Sequence, residues 1–538
     1  MDQFSIYIFL FSIIVLLGQL FQKSTIPIAL ILVVFGMLLS FVPFLPEINL
    51  DSKLVLNFFL PLLVYQISAF SSWRDMKSQF RPIALLSIGH VIFITILVAG
   101  VIHVLIPQIG WPLAFVLGTI ISPPDDVAIV AIAEKIRIPE RIYIILEGEG
   151  MFNDAAALTL FRFALAAAIT NEFSIAHAFF DFSAMIIGET LYGLILGHLL
   201  GKLRAKFLNT PLHVIASFLT PFLAYIPAVK CGGTGILATA IVGFVIGNQY
   251  TLRFTPEYRL IALSIWPTLG FAIQGLIFLL VGLDMRSTFI RISSIPFETL
   301  LLYLFSITVV VIVGRFIWVY GAVICLPRLL FPSLRKKDPY PTWQYPFVIS
   351  WSGIRGGISL AAALAIPALT VKIGGIDPRD LLVFLVFCII VVTLVLQGLS
   401  LPFILRKLGI DKVGQSERYT EHMTELQARV QMIKAALNWL EKCKKKIKNN
   451  KKLSLDVSLY IYEYQMLKKQ FESRILDHDR ISVHDEQAEI KEKLSLLFQV
   501  IEVEREELSR LWYEERINLR IRNKLLATLD HQIQHHLF

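Results

Sequence analysis

Apolar residues run in blocks of about twenty along the first three quarters of the chain, separated by short polar or basic stretches. The blocks lie near residues 4–22, 25–46, 53–71, 82–107, 111–134, 140–170, 182–204, 211–229, 233–248, 262–284, 298–326, 345–370 and 380–405. A helix needs roughly 20 predominantly apolar residues to cross the hydrocarbon core of a bilayer, so the pattern predicts about thirteen membrane-spanning helices. The pattern changes beyond Val413. From Gly414 to Phe538 the chain is rich in Glu, Lys, Arg and Gln, and apolar residues recur at helical spacing. One run is Leu426, Val430, Ile433, Leu437 and Leu440, and another is Leu494, Leu497, Val500, Ile501 and Val503. These predict about three amphipathic helices, separated near Lys448 to Ser454 and near His478 to His484 and suited to a small bundle or a helix-mediated dimer. The expected fold class is therefore an all-α polytopic membrane protein, with a transmembrane domain over 1–413 and a cytosolic helical regulatory or dimerisation tail over 414–538.

Composition agrees with a membrane protein. Of 538 residues, 56% are hydrophobic and only 17% charged, against roughly a quarter charged in an average soluble domain. The formal net charge of +9 is distributed unevenly. Nineteen Lys and Arg lie in one set of loops, among them Arg74, Lys77 and Arg81, against six in the opposite set. Basic loops stay cytoplasmic, so the N-terminus is expected outside and the C-terminus inside a plasma or inner membrane. This asymmetry and the basic tail account for the net charge, and no basic patch interleaved with aromatics points to nucleic acid. The first apolar block starts at residue 4 without a basic region before it or a small-residue cleavage site after it, and reads as a retained helix. Cys231, Cys325, Cys388 and Cys443 are scattered, which fits neither a disulfide framework nor a metal site. The run Lys442 to Lys451 is open to two readings, a solvated face or a contact with anionic lipid, and His531, His535 and His536 cluster at the chain end.

Two of the blocks are interrupted. Block 111–134 contains Ser122-Pro123-Pro124-Asp125-Asp126, and block 345–370 contains Gly353-Ile354-Arg355-Gly356-Gly357. Irregular backbone at membrane depth survives only where protein or a water-filled cavity satisfies it. If the chain holds two inverted five-span repeats, over spans 2–6 and 9–13, each broken helix is the fourth span of its repeat, where such folds build a midplane ion site. The sixth block carries Gly148-Glu149-Gly150-Met151-Phe152-Asn153-Asp154 after a short connection, so Asp125 and Asp154 can approach one another in neighbouring helices. Intramembrane acids are costly and mark ion or proton pathways. Burial and a neighbouring like charge favour the neutral form of a carboxylate, which lets a proton and a bare monovalent cation compete for one group near neutral pH. Carboxylate, the Asn153 amide and carbonyls freed by the break are hard oxygen ligands suited to Na+ or a similar ion. No cofactor is expected beyond the transported ions.

These segments, with Leu60-Pro61-Leu62-Leu63, Gly118-Thr119-Ile120-Ile121-Ser122, Gly232-Gly233-Thr234-Gly235-Ile236-Leu237-Ala238 and Trp351-Ser352-Gly353-Ile354-Arg355-Gly356-Gly357-Ile358-Ser359-Leu360, resemble the monovalent cation:proton antiporters of the NhaP/NHE type, in order and with matching spacing from about residue 5 to 410. The resemblance implies that Asp154 carries cation and proton, that Asn153 completes the Asn-Asp pair associated with electroneutral exchange, and that Asp125 lies in the unwound part of the first broken helix, where Ser122 and Pro124 contribute oxygen. It also implies that Glu149 and Arg355 form a structural ion pair, that the protein is a transporter and no enzyme, and that it works as a homodimer.

Two positions depart from that pattern. Asp126 stands where the family has proline, open to three readings: a second ion ligand, an acid acting on Asp125, or a solvated loop residue. Gln66 stands where the family often has glutamate, leaving ion preference open. Gln274 is a candidate cavity residue against an ordinary interhelical hydrogen bond. His90, His103 and His198 read as satisfied buried or interfacial histidines, and Arg162 either pairs with an acid or snorkels outward. The competing class is a sensor built on a transporter scaffold or a cation channel without proton coupling. An intramembrane aspartyl protease is excluded, because Asp125 and Asp154 lack its Tyr-Asp and Gly-x-Gly-Asp contexts.

Overall fold

A computed structural model describes residues 3–22, 24, 26–42, 52–125, 132, 136, 138–170, 175–293, 295–338, 341–367, 377–446, 451–478 and 502–511, with 514, 521 and 525. Among them there is no β-strand. Asp126, the run Leu494 to Ile501 and the three C-terminal histidines lie outside the described residues. The chain divides into two compact units, 1–415 and 416–538.

In the first unit the main helices are α1 (Gln3–Leu20), α2 (Ile28–Ser40), α3 (Val55–Phe70), α4 (Phe80–Leu105), α5 (Trp111–Ile121), α6 (Glu140–Thr170), α7 (Ile175–Arg204), α8 (Thr210–Lys230), α9 (Ile236–Val245), α10 (Pro256–Leu283), α11 (Phe297–Leu330), α12 (Gln344–Trp351), α13 (Gly357–Leu364) and α14 (Pro378–Lys407). Among the described residues seven helical stretches are long and apolar enough to span a bilayer: α4, α6, Phe180–Arg204 within α7, α8, α11, α14 and the continuous Pro256–Arg291 that contains α10. Shorter apolar stretches fall in α1, α2, α3 and α5. Val15 and Ile195 are each 69% exposed and Phe305 67%. Such faces are unfavourable in water and ordinary in lipid.

The helices pack in two groups. In one, α10 lies along α2 and contacts α1, while α9 fits between α3 and α7 with α8 beside it. In the other, α5 packs on α4 and α6, α11 packs on α4 and α14, and α13 packs on α14 and reaches α5. The groups meet where α10 and α3 touch α13 and where α9 touches α6. Without a hydrophobic force between helices in lipid, close backbone approach at small residues supplies the packing. Gly36 and Gly282 provide it at the α2–α10 crossing: a Cβ on Gly282 would overlap the Val33 carbonyl and meet the Met37 nitrogen at 2.8 Å and the Gly36 Cα at 2.9 Å.

Several cations at the helix ends are held by the fold. Arg204 is buried, donating to the Tyr65 hydroxyl at 2.8 Å and the Tyr258 hydroxyl at 2.6 Å. Arg328, also buried, joins Arg81 and Arg141 on the single carboxylate of Asp338 at 2.7–2.9 Å. One acid thereby ties the ends of α4, α6 and α11 together. Arg162 makes no ion pair with an acid among the described residues; it is exposed and donates to the Gly232 and Gly233 carbonyls. The amides on the other side of that turn go to Glu189 of α7, whose carboxylate accepts from the backbone of Gly235 at 2.9 Å and Ala238 at 3.1 Å and caps α9 at its positive end.

In the second unit, side chains of α15 (Ile410–Lys446) beyond residue 415 reach those of α16 (Lys451–His478). Leu426, Val430, Ile433 and Leu437 are buried, Arg429 lies 5.6 Å from the Phe471 ring, and Lys434 reaches Glu472 at 3.6 Å. The separating segment is shorter than the composition implied, since Lys451 to Ser454 are already helical; lysines are good helix formers and impose no stop. In the short helix over 502–511 it is Leu508 that is buried, while Val503 is 65% exposed.

The α2–α10 contact yields a direct test. Gly282→Leu forces these helices apart, and overpacking of this kind costs about 1–3 kcal/mol. We expect a lower melting temperature in detergent, with Gly282→Ala intermediate; a native melting temperature for the leucine variant would contradict the crossing.

Candidate functional site

The site forms where two helices stop inside the bundle. Helix α5 ends at Ile121, and Ser122 to Asp125 continue as irregular backbone. The chain from α12 to α13 is likewise irregular over Ser352 to Gly356. The two irregular segments cross, and the Asp125 amide donates to the Ile354 carbonyl at 2.7 Å. A Cβ on Gly356 would overlap the Asp125 carboxylate, so only glycine permits this crossing. The carboxylate thus lies against the first residues of α13, where helix amides point and negative charge is favoured. Arg355 does the reverse, donating from Nη1 to the Ser122 carbonyl at the negative end of α5 at 2.9 Å, while its own amide donates to Thr393 Oγ1 of α14 at 3.1 Å.

Helix α6 supplies the acids. Glu149 and Asn153, four residues apart, share one face. Glu149 is 1% exposed, and its two oxygens accept from Arg315 of α11 at 2.5 and 2.7 Å. Arg315 Nε also donates to the Ile349 carbonyl of α12 at 3.1 Å. Asn153 is fully buried and donates from Nδ2 to the Pro124 carbonyl at 2.7 Å; its Oδ1 has no hydrogen-bond partner among the described residues. Asp154 points to the other side. With Asp125 it lines a cavity of about 40 Å³, shared with Leu63 and Val64 of α3, Gly150 of α6, Gln274 of α10, and Gly356 and Ser359. That is room for a small hydrated ion or a few waters, since one water needs roughly 10–15 Å³ on this measure. Asp154 and Ser359 also line a second space of about 10 Å³, bounded by Thr119, Phe161 and Ala362.

The structure brings some of the expected residues to this cavity and places others elsewhere. Asp125, Asp154, Pro124 and Gln274 line it together. The partner of Glu149 requires correction: the carboxylate is gripped by Arg315, and Arg355 instead caps α5. Arg355 is directed to the Ser122 carbonyl by the crossing of the two broken segments, whereas α11 carries Arg315 to the acid. Ser122 is not among the lining residues; its hydroxyl donates to the Thr119 carbonyl at 3.0 Å and its carbonyl is taken by Arg355. Gln66 is also outside the lining, packed where a Cβ on Gly270 would meet it. At 3.6 residues per turn it sits about 100° around α3 from the lining face of Leu60, Leu63, Val64 and Ile67. His90 is buried, but neither ring nitrogen has a partner among the described residues, so it is not the satisfied histidine expected. His103 stacks on Trp111 with centroids 4.3 Å apart, and His198 meets the Tyr250 hydroxyl at 3.2 Å. Arg315 and Glu189 were missed, although each is a lone charge inside an apolar block, the signal that singled out Asp154.

An all-helical bundle with helices broken at membrane depth and carboxylates lining a cavity at the break is the architecture of an ion transporter. Comparison with known proteins gives the family. Residues 8–407 match the profile of the sodium/hydrogen exchanger transmembrane family. The chain is 31% identical over 394 residues to the sodium, potassium, lithium and rubidium/H+ antiporter of Bacillus pumilus, covering 71% of this chain and 58% of that protein. It is 30% identical over 421 residues to the low-affinity Na+/H+ antiporter NhaS1 of Synechocystis, covering 78% of this chain and 76% of that one. The fold is similar to that of the sodium proton antiporter MjNhaP1 from Methanocaldococcus jannaschii, with a TM-score of 0.59 over 75% of this chain and 98% of that one at 17% identity. The chain therefore belongs to the sodium/hydrogen exchanger family, a family of multi-pass membrane ion transporters and not of enzymes.

The charge network makes a measurable prediction. Removing one partner of a buried ion pair costs about 3–5 kcal/mol, so Glu149→Gln and Arg315→Met should each lower thermal stability sharply. In a double-mutant cycle, Glu149 and Arg315 should couple by at least about 2 kcal/mol, and Glu149 and Arg355 by clearly less. Equal coupling would restore the Arg355 pairing.

Proposed function

We propose that this protein exchanges protons for a monovalent cation, Na+ foremost with Li+ and K+ as further substrates, in an electroneutral 1:1 cycle of alternating access. The observation that carries this reading is that Asp125 and Asp154, from two different helices, line one small cavity at the crossing of two broken helices. In the mechanism, Asp154 is the alternately occupied group. A proton on its carboxylate or an alkali ion held by it leaves the same net charge, so each loaded form can cross and the bare carboxylate cannot. Asp125 adds a second carboxylate, and the unpartnered Asn153 Oδ1 and the Pro124 carbonyl lie beside it as neutral oxygens. Glu149 and Arg315 neutralise one another and drop out of the cycle, and Arg355 holds the end of α5 without carrying a proton, because a guanidinium stays charged. That the relatives named above exchange H+ for Na+, or for several alkali ions, supports this substrate class.

The same reading takes the transmembrane region as thirteen spans with two inverted five-span repeats, N-terminus outside and C-terminus cytoplasmic, in the plasma membrane. It takes the protein as a homodimer, with the α4–α6, α11–α14 group as the moving core, and the tail from 414 onward as a regulatory or dimerising unit. Its duty is control of cytoplasmic pH and Na+. A channel or sensor without proton coupling gains no support from any particular contact.

Cation-driven pH change in everted vesicles tests the assignment. Asp154→Asn should abolish exchange at native expression, and retained exchange would remove Asp154 from its central role. Deletion of residues 415–538 should leave exchange but shift its pH dependence or rate. A truncated chain that inserts normally and is inactive would refute a purely regulatory tail.

A further inference from the structure

We propose that the Ser359 hydroxyl is a ligand for the transported alkali-metal ion and that it sets which ions the Asp154 site accepts. This rests on the reading of Asp154 as the cation and proton carrier and adds to it the residue that grades the cation.

Two small spaces adjoin at the crossing. Four residues line both of them: Pro123, Asp154, Ile358 and Ser359. Only Asp154 and Ser359 among these carry a side-chain oxygen. An ion moving between the two spaces passes these two groups and no other polar side chain common to both. A cation that sheds water must replace it with oxygen ligands, and a neutral hydroxyl supplies one without adding charge, which keeps the cycle's net charge unchanged.

The backbone explains why this hydroxyl is available. Serine and threonine inside a helix usually donate back to a carbonyl three or four residues earlier. Thr119 and Ser122 do so, to Val116 at 2.8 Å and to Thr119 at 3.0 Å. Ser359 is the third residue of α13, so the residues three and four before it are Gly356 and Arg355, which lie in the irregular segment. Only the N-cap carbonyl of Gly356 stands behind it in helical register, where regular helix would offer two, and among the described residues the hydroxyl has no hydrogen-bond partner. Ser359 is 6% exposed and held on a helix, and its side chain has one rotatable bond to the oxygen. The ion-to-oxygen distance is therefore set by the position of α13. Gln274, the other neutral side-chain oxygen on the cavity, sits on a longer and more adaptable chain. A fixed oxygen discriminates by ionic radius, and a mobile one adjusts.

The Asp125 carboxylate removes the obvious objection. The first turn of a helix is positive and repels cations, but the acid against Gly356 offsets that end of α13, so the ion meets Ser359 at a neutralised terminus.

The test uses the full chain reconstituted in liposomes, with exchange measured against concentration for Li+, Na+, K+ and Rb+. Ser359→Ala and Ser359→Cys should raise the KM for the preferred cation at least about fivefold, a loss of roughly 1 kcal/mol of ion binding at tenfold per 1.4 kcal/mol. Both should change the order of preference among the four ions, with KM carrying more of the loss than the maximum rate. Ser359→Thr, which keeps the hydroxyl, should return KM to within about twofold of native and restore the order. Native KM and native order in the alanine and cysteine variants would overturn the proposal. So would a uniform loss for all four ions with the order retained, which marks a packing role. Asp154→Asn in the same liposomes separates the two readings: exchange that survives it refutes the carrier assignment whatever Ser359 does, and exchange lost in it while Ser359→Ala is native refutes only the Ser359 ligand.

Discussion

Two helices that stop in the middle of an apolar bundle expose backbone groups that lipid cannot satisfy, and the organisation of the site follows from that constraint. The end of α5 presents carbonyls and the start of α13 presents amides. Each end is met by a group from the opposite segment: Arg355 on the Ser122 carbonyl, the Asp125 carboxylate against Gly356. The Asp125 amide and the Ile354 carbonyl close the crossing. Because each segment supplies what the other lacks, neither would be stable at membrane depth alone. The same arrangement brings oxygen atoms to a small cavity in the interior.

Helix α6 separates its paired acid from its cavity-lining acid by using two faces. Glu149 and Asn153 point into the protein, one into a two-pronged grip by Arg315 and the other onto the Pro124 carbonyl. Asp154 points to the cavity. A buried charge without a partner is costly, so Glu149 is fixed by its guanidinium. Asp154 makes no such pair among the described residues and faces the space an ion can enter. That contrast gives physical content to a division of labour between adjacent acids that composition alone cannot assign.

The places where sequence reasoning succeeded and failed have physical causes. Interrupted blocks with Pro and Gly, and acids inside apolar runs, were visible because each violates the cost of polar groups in lipid. The pairing of Glu149 with Arg355 was carried over from the resemblance, and the pattern of apolar blocks could not show that Arg315, a charge in another block, is the arginine that reaches α6. Gln66 was singled out because the family often has glutamate there, yet it lies about a quarter turn from the lining face. Ser122 failed for a different reason, since the arginine that crosses from the other broken helix takes its carbonyl.

By itself, the sequence determined that the chain is a helical membrane protein with a polar, helix-forming tail, that two helices are broken, and that acids lie near those breaks. These follow from one-dimensional facts: block length, spacing, and the price of charge in an apolar run. Only the tertiary structure decided which arginine neutralises Glu149, which glycine lets Asp125 reach the start of α13, and which hydroxyl is left facing the cavity. Those choices depend on where helices distant in sequence cross and how each is rotated about its axis, and neither quantity is written in the order of residues.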